Sequence, residues 1–169
     1  VRTIFNILGP LTNPAGAENQ LMGVFHPDLV GIQARVLSQL GARHAMVVHG
    51  RDGLDEISLS GPTLVAELKN GWIREYELDP AEFGFSLCSA ADLAAPTAED
   101  SKARLLAVLD NQPGPARDIV CMNAGAAIYV AGVTDSLAGG IRLAQELLAS
   151  GAARQKLGQL VELTHKLAA

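Results

Sequence analysis

The sequence predicts an α/β domain with a helical C-terminal half. Two observations in the first half of the chain carry this prediction. Residues 20–49 alternate between an apolar run, a segment with helical spacing and a second apolar run, which is typical of a β-α-β unit. Two further strand-like segments then flank a tight turn at residues 70–71. Later in the chain apolar residues recur at helical spacing, which predicts three or four helices packed over the sheet.

The β-α-β unit begins with a predicted strand over residues 20–25, a short apolar run. A helix follows Pro27 and ends at Gly41, because glycine commonly terminates helices. The second strand covers residues 44–49, and its connection through a helix favours parallel strands with a right-handed crossover. The helical positions expected to face the core are Leu29, Ile32, Val36, Leu37 and Leu40.

An antiparallel hairpin is predicted after this unit, with strands over residues 63–69 and 72–78. The two residues between them are Asn70 and Gly71, and this pair is the strongest short-range signal for a two-residue hairpin turn. The hairpin therefore extends the predicted sheet.

The second half of the chain is predicted to be helical. The sequence from Thr97 to Asp100 resembles a capping box that starts a helix. Residues 118–132 are apolar almost all round, which predicts a buried helix whose small residues, such as Gly125, permit close packing. Apolar residues at helical spacing indicate two more helices: Leu137, Ile141, Ala144 and Leu148 in one, and Leu157, Leu160, Val161, Thr164 and Leu167 in the other.

Composition narrows the class of protein. The 169 residues suffice for one domain with a hydrophobic core, and 18 acidic against 13 basic residues, with no basic stripe, argue against nucleic-acid binding. Cys88 and Cys121 lie far apart, which favours a reduced, cytoplasmic compartment. No apolar run approaches the roughly 20 residues of a membrane span. The chain starts at Val1 rather than at a methionine, so we expect it to be part of a longer protein.

The segment from His49 to Ser58, HGRDGLDEIS, is the first candidate functional site. It follows a predicted strand directly, and it places Asp52, Asp55 and Glu56 within five positions. Magnesium prefers oxygen ligands and often binds through one or two carboxylates plus substrate phosphates, so a magnesium site is one interpretation. The other interpretation is a solvated acidic turn in which an aspartate caps the local backbone.

The segment over residues 2–14, RTIFNILGPLTNP, is the second candidate. Pro10 and Pro14 restrict its backbone, so it could form a rigid wall of a pocket for a flat ring. A structural turn after a short helix is the simpler interpretation, and the residues alone favour it.

The histidines and one asparagine are expected to be structural. His26, His44, His49 and His165 show none of the spacings typical of zinc ligands or of a base beside a nucleophile. Asn123 lies inside the apolar helical segment and is expected to be a hydrogen-bonded polar group, because burial requires a partner.

Three segments together closely resemble anthranilate phosphoribosyltransferases: residues 2–24, residues 47–58 (VVHGRDGLDEIS) and residues 122–132 (MNAGAAIYVAG). The resemblance covers all 169 residues but only the C-terminal half of that family's chain. It implies transfer of the phosphoribosyl group from phosphoribosyl diphosphate (PRPP) to anthranilate in tryptophan biosynthesis, giving N-(5-phosphoribosyl)anthranilate and diphosphate. It also implies the C-terminal part of the large α/β domain of the nucleoside phosphorylase fold, with a mixed, mostly parallel sheet and flanking helices.

The resemblance implies a role for four residues. Asp55 and Glu56 match the family's magnesium-binding acidic pair, and Gly9 and Pro10 match the loop that lines the anthranilate channel. Magnesium would neutralise the diphosphate leaving group, and no residue of the protein would act as a nucleophile.

The resemblance also implies what lies upstream of this chain. The family's N-terminal helical domain, which forms its homodimer, and its glycine-rich PRPP cradle precede the matching segment. We therefore expect residues 1–169 alone to lack the native dimer interface and to be inactive.

Two alternatives share the fold. One is a non-catalytic relative that binds nucleic acid, for which the net charge of −5 is unfavourable. The other is a pyrimidine nucleoside phosphorylase, which does not share the pair of segments GPLTNP and DGLDE.

Overall fold

A computed structural model describes residues 4–168 as one four-stranded sheet with helices on both faces. The strands are β1 Asn19–Gly23, β2 His44–Gly50, β3 Thr63–Lys69 and β4 Trp72–Leu78. The helices are α1 Phe5–Leu8, α2 Leu29–Gln39, α3 Ala90–Leu93, α4 Ala98–Leu109, α5 Pro115–Val130, α6 Leu137–Ala149 and α7 Ala152–Ala168, with 3-10 turns at Gly9–Leu11 and Pro80–Phe83. The predicted α/β class with a helical second half is confirmed.

The sheet has the strand order β1-β2-β3-β4. Strands β1 and β2 are parallel and joined through α2, as the β-α-β pattern predicts. The β3–β4 hairpin turns at Asn70 and Gly71, which have φ values of 53° and 80°, as their sequence predicts. Both β2–β3 and β3–β4 are antiparallel. The expectation of a mostly parallel sheet is therefore wrong for this chain, because residues 51–62 contain no crossover helix and β3 returns directly beside β2.

Strand β2 lies at the centre of the core and is buried on both faces. On one face Val47 packs in a cluster with the inner side of α2, formed by Val30, Ala34 and Leu37. Ile32 and Leu40 of the predicted helical face point to solvent instead, because the sheet meets the side of the helix that carries Ala34. On the other face Met46 and Val48 pack in a second cluster with residues of α5 and α6. Burial on both faces explains why β2 is a continuous apolar run.

Helices α5 and α6 pack at backbone distance. A Cβ added at Gly125 would lie 2.6 Å from the backbone of Ile141, and one added at Gly140 would lie 2.1 Å from the carbonyl oxygen of Gly125. The predicted close packing of the small residues is confirmed. The predicted buried helix is confirmed for one side of α5, which includes Cys121, Met122 and Ala126, whereas Val120 is 40% exposed and faces a cavity beside α4.

Helix α7 forms where its spacing predicts, but none of its residues is buried. Arg154 near its start pairs with Asp110 after α4, whereas Leu160 is 56% and Leu167 is 78% exposed. Its apolar stripe therefore does not pack over the sheet as predicted. In the part of the chain that the structure describes, no helix has the length and apolarity needed to cross a membrane.

A buried carboxylate, that of Glu67 on β3, lies toward the start of β2. It accepts hydrogen bonds from the hydroxyls of Tyr129 at 2.7 Å and Tyr76 at 3.0 Å, and it lies 3.2 Å from Nε2 of His44. Burial alone would raise the pKa of Glu67, but the hydrogen bonds from Tyr129, Tyr76 and His44 outweigh it and hold this pKa below its usual value. Burial and the neighbouring Glu67 raise the pKa of Tyr76, so its hydroxyl stays a donor.

This cluster gives a prediction for stability. A group whose pKa falls on folding stabilises the protein above its unfolded pKa, about 4.3 for glutamate, and that contribution is lost as the pH falls through the folded pKa. Tyr129→Phe should lower the free energy of unfolding by about 1.5–3 kcal/mol near neutral pH, and by less under acidic conditions. Urea unfolding at several pH values measures both effects. In a Glu67→Gln background the same substitution should cost less, and an equal, pH-independent cost in both backgrounds would contradict the assignment.

Candidate functional site

The loop over residues 51–62 joins β2 to β3 and carries the three predicted carboxylates. It begins where β2 ends, beside the end of the parallel strand β1. Ligands of open α/β sheets commonly bind at this edge, beyond the carboxyl ends of parallel strands.

Asp52 is exposed, but its carboxylate is hydrogen-bonded within the turn. Its Oδ2 accepts a hydrogen bond from the hydroxyl of Ser58 at 2.7 Å, and its Oδ1 accepts one from the amide of Leu54 at 3.3 Å. Gly53, with φ of 95°, closes the turn by donating to the carbonyl of Gly50 at 2.8 Å. The capping interpretation of the acidic turn therefore holds for Asp52.

Asp55 and Glu56 are placed differently. Both are exposed, and among residues 4–168 neither carboxylate has a hydrogen-bond or ion-pair partner. Adjacent carboxylates without a cation repel each other, so this arrangement costs free energy unless a ligand compensates it. The two residues are thus available to an ion or a substrate.

The backbone of the pair is held on both sides. Below Asp55, a Cβ added at Gly23 would lie only 1.6 Å from the Asp55 carbonyl oxygen, so the loop rests directly on β1. After Glu56, the buried residue Ile57 donates its amide to Oδ1 of Asn123 at 2.9 Å and accepts from Nδ2 of Asn123 at 2.9 Å. Asn123 is therefore the hydrogen-bonded polar group that the sequence predicts. Its partner, 66 residues away, is not predicted.

A cavity of about 440 Å³ opens beside the pair. Its walls come from β1 and β2 (Leu21, Val48) and from α5 (Ile119, Asn123, Ala124), with Asp55 and Glu56 at its rim. A second, largely apolar cavity of about 730 Å³ lies between α4 and α5 and shares Glu56. The carboxylate of Glu56 thus lies at the boundary between the two cavities.

The donor set fits magnesium in one of its usual modes. Two exposed carboxylates supply hard oxygen ligands, and such an ion keeps several waters or takes substrate phosphate oxygens as its other ligands. Among residues 4–168 no group of three or more metal-ligating side chains is close enough to form a complete protein cage. An ion here would therefore be shared between the protein and a substrate.

Gly9 and Pro10 lie elsewhere. They form the exposed 3-10 turn between α1 and β1, and they line neither of the two cavities beside Glu56. The helix before the turn, α1, is tied to α2 because Nε2 of Gln33 donates to the carbonyl of Ile7 at 3.1 Å. Their part in a channel for anthranilate stays a prediction.

The histidines have the structural roles expected of them where the structure shows contacts. Nδ1 of His49 lies 2.7 Å from the carbonyl oxygen of Val24, which can only accept, so this bond ties β2 to the end of β1. His44 belongs to the Glu67 cluster. His26 lies 3.6 Å from Asp28 at the start of α2.

Comparison with known proteins places the chain. Residues 1–154 match a family model described as the glycosyl transferase family, a/b domain. The chain belongs to this family. This membership agrees with the resemblance carried by the three sequence segments.

Named relatives of this glycosyl transferase chain are about twice its length. The anthranilate phosphoribosyltransferase of Laribacter hongkongensis is 98% identical over 169 residues, which are 100% of this chain and 49% of that enzyme. The crystal structure of the Thermus thermophilus enzyme of the same name matches with a TM-score of 0.87 and 42% identity, over 96% of this chain and 48% of that one. The Saccharomyces cerevisiae enzyme in complex with PRPP and Mg matches with a TM-score of 0.83 and 26% identity, over 96% of this chain and 47% of that one. The predicted relationship to anthranilate phosphoribosyltransferases, and with it the fold, is confirmed.

The contact between Gly23 and Asp55 gives a testable prediction. In Gly23→Ala the new methyl group would overlap the carbonyl of Asp55. Because the overlapping atoms of Asp55 belong to the backbone, the loop or β1 must move. We expect the free energy of unfolding to fall by about 1–3 kcal/mol or more, with faster amide exchange in residues 51–58. Gly158→Ala in α7 is the matched control, because nothing lies within 4 Å of its added Cβ and alanine favours helices. A Gly23→Ala protein as stable as the control would show that the loop does not rest on β1.

Proposed function

We propose that this chain is the metal-binding half of an anthranilate phosphoribosyltransferase. The complete enzyme would transfer the phosphoribosyl group from PRPP to the amino group of anthranilate and release diphosphate. The observation that carries the proposal is the adjacent pair Asp55 and Glu56, which is exposed, partnerless among the described residues and anchored at the rim of a cavity. The named relatives favour this reaction over that of a pyrimidine nucleoside phosphorylase.

Asp55 and Glu56 would hold Mg²⁺ through their carboxylate oxygens. When bound there, Mg²⁺ supplies positive charge against the negative charge that grows on diphosphate as it leaves. The yeast structure that contains PRPP and Mg supports the choice of Mg²⁺ as the metal of this family. The chain's own contribution is orientation, because β1 and α5 fix the backbone that carries both carboxylates.

The carboxylates have a second effect on the reaction. Positive charge develops on the ribose carbon as diphosphate departs, and preorganised negative groups in a partly enclosed site favour such charge. This electrostatic assistance requires no covalent bond between the protein and the ribose.

We assign the turn at Gly9 and Pro10 to a wall of the anthranilate channel. Pro10 restricts the backbone, and both the amide and the hydroxyl of Thr12 donate to the carbonyl of Gly9, at 3.1 Å and 3.0 Å. Nothing lies within 4 Å of a Cβ added at Gly9, so the backbone there faces open space. A rigid, open turn loses little entropy when a flat ring binds against it.

The rest of the site is proposed to lie in the other half of the enzyme. In the part of the chain that the structure describes, no lysine or arginine lines the cavity of about 440 Å³ beside Asp55 and Glu56. Groups that hold the phosphates of PRPP would therefore come from the N-terminal helical domain and the PRPP cradle, and the chain alone would be inactive.

We propose that the whole enzyme is a homodimer in the cytoplasm. The unpaired Cys88 and Cys121 fit a reducing compartment. The dimer follows only from the resemblance.

The metal assignment predicts the behaviour of a double variant. The test uses the Laribacter enzyme in which this chain's 169 residues replace the matching segment. In that enzyme, Asp55→Asn with Glu56→Gln should lower turnover about 100-fold or more, because the leaving group loses its charge compensation. Added magnesium should restore turnover only in part. The loss of anthranilate fluorescence in the presence of PRPP and Mg²⁺ measures the rate.

The matched control removes two other exposed carboxylates, Glu146→Gln with Glu162→Gln, and should leave turnover near that of the parent enzyme. Unchanged turnover of the Asp55/Glu56 variant at limiting magnesium would remove these residues from the metal site.

A further inference from the structure

The carboxamide of Asn123 pairs with both backbone polar groups of one residue, Ile57, in the loop over residues 51–62. Its Oδ1 accepts the Ile57 amide and its Nδ2 donates to the Ile57 carbonyl, both at 2.9 Å, and Nδ2 also donates to the Ile119 carbonyl at 3.0 Å. Both backbone polar groups of Ile57 are thus satisfied by one side chain. A carboxamide offers a donor and an acceptor side by side, which neither a carboxylate nor an apolar side chain does.

The pairing acts on the peptide that follows Glu56. The amide of Ile57 belongs to the peptide bond between Glu56 and Ile57, so fixing it restricts the rotation of the backbone that carries the Glu56 side chain. Two residues earlier, the Asp55 carbonyl is held against Gly23. One residue later, the Ser58 amide donates to the hydroxyl of Thr63 at 3.0 Å. The two carboxylates are therefore carried by a short segment that is held at both ends.

We propose that Asn123 is a positioning residue for the metal-binding carboxylates, acting through the backbone of Ile57 without touching the metal. The proposal rests on the function assigned above to Asp55 and Glu56. It adds that α5 sets the orientation of the pair, and that the affinity for the metal depends on a side chain that lies 66 residues after Ile57 in sequence. Partners that orient the ligands of a metal typically change its affinity about 10–100-fold when they are removed.

A positioning role differs in its consequences from a purely structural one. Loss of the pairing leaves the buried Ile57 amide and carbonyl without partners, so any variant loses some stability. If the role of Asn123 is purely structural, this loss of stability is the only effect of the substitution. A positioning role also predicts weaker metal binding in the protein that is still folded, with a higher KM for PRPP and an unchanged KM for anthranilate.

The test uses the Laribacter enzyme carrying this chain's residues in its matching segment. Asn123→Leu keeps the approximate size of the side chain and removes the hydrogen bonds, and Asn123→Ser is a milder variant that carries the test if the leucine protein does not fold. Tyr129→Phe is the matched control, because it removes a partly buried hydrogen bond made by the same helix, α5, without touching the loop. The probe is Mn²⁺ bound in the presence of PRPP, followed by electron paramagnetic resonance. Amide exchange of residues 54–58 is measured beside it.

We expect Asn123→Leu to weaken Mn²⁺ binding about 10-fold or more and to accelerate exchange at Ile57, while Tyr129→Phe loses stability with unchanged Mn²⁺ affinity. If Asn123→Leu binds Mn²⁺ as tightly as the control while Asp55→Asn with Glu56→Gln does not bind it, Asn123 is merely structural and the inference is overturned. If the carboxylate variant also binds Mn²⁺ normally, the proposed metal site itself fails and the inference fails with it.

Discussion

The pairing between the carboxamide of Asn123 and the backbone of Ile57 is the interaction on which the candidate site depends. It joins a helix from the second half of the chain to the middle of a loop from the first half. Without it, two neighbouring carboxylates on an exposed turn would have many orientations, and repulsion would separate them. With it, the backbone that follows Glu56 is hydrogen-bonded to α5.

The sheet makes this pairing possible in two ways. Strand β1, which is parallel to β2, brings Gly23 into contact with the backbone of Asp55. Strand β2 packs against α5 in the core, and this packing fixes α5 beside the loop. The close contact of α5 with α6, which requires glycine at positions 125 and 140, further fixes the position of α5. The position of the carboxylates therefore depends on packing across several elements of the fold.

The acidic residues at the two ends of the sheet differ in whether the protein compensates their charge. Near the start of β2, Glu67 is buried and accepts hydrogen bonds from two tyrosines, so its charge is compensated within the protein. At the other end, Asp55 and Glu56 have no partner among the described residues, whereas Asp52, only three positions before Asp55, is satisfied by Ser58. Uncompensated charge at a fixed position is what distinguishes a binding site from a stabilising cluster.

Local signals in the sequence predict most of the elements. The turn at Asn70-Gly71, the helix end at Gly41 and the cap at Thr97, which accepts from the Asp100 amide at 3.0 Å, act within a few residues and lie where predicted. Features that depend on distant partners are not predictable in this way. Spacing alone does not separate Asp52 from Asp55, does not pair Gly23 with Asp55, and does not show that α7 leaves its apolar stripe uncovered.

The predicted site residues also differ in how much of their role local sequence signals can predict. From spacing alone, a magnesium site at Asp55 and Glu56 and a solvated acidic turn are both open interpretations, and the resemblance to a family favours the magnesium site. The structure adds the physical reason that they are available: of the three carboxylates in residues 51–62, Asp52 is hydrogen-bonded, whereas those of Asp55 and Glu56 have no partner among the described residues. The role of Asn123 could be anticipated only in part, as a polar residue in an apolar helix that needs a hydrogen-bond partner.

The most direct test of this account is to locate the bound ion on the chain itself. Mn²⁺ titrated into the isotope-labelled protein broadens the nuclear magnetic resonance signals of the nearest amides, and excess Mg²⁺ should reverse the effect if both ions share the site. The account predicts that amides of residues 54–57 and of Gly23 broaden first, while those around Glu67 keep their intensity. Early broadening at another acidic segment, with residues 54–57 unaffected, would contradict the claim that this loop is the metal site.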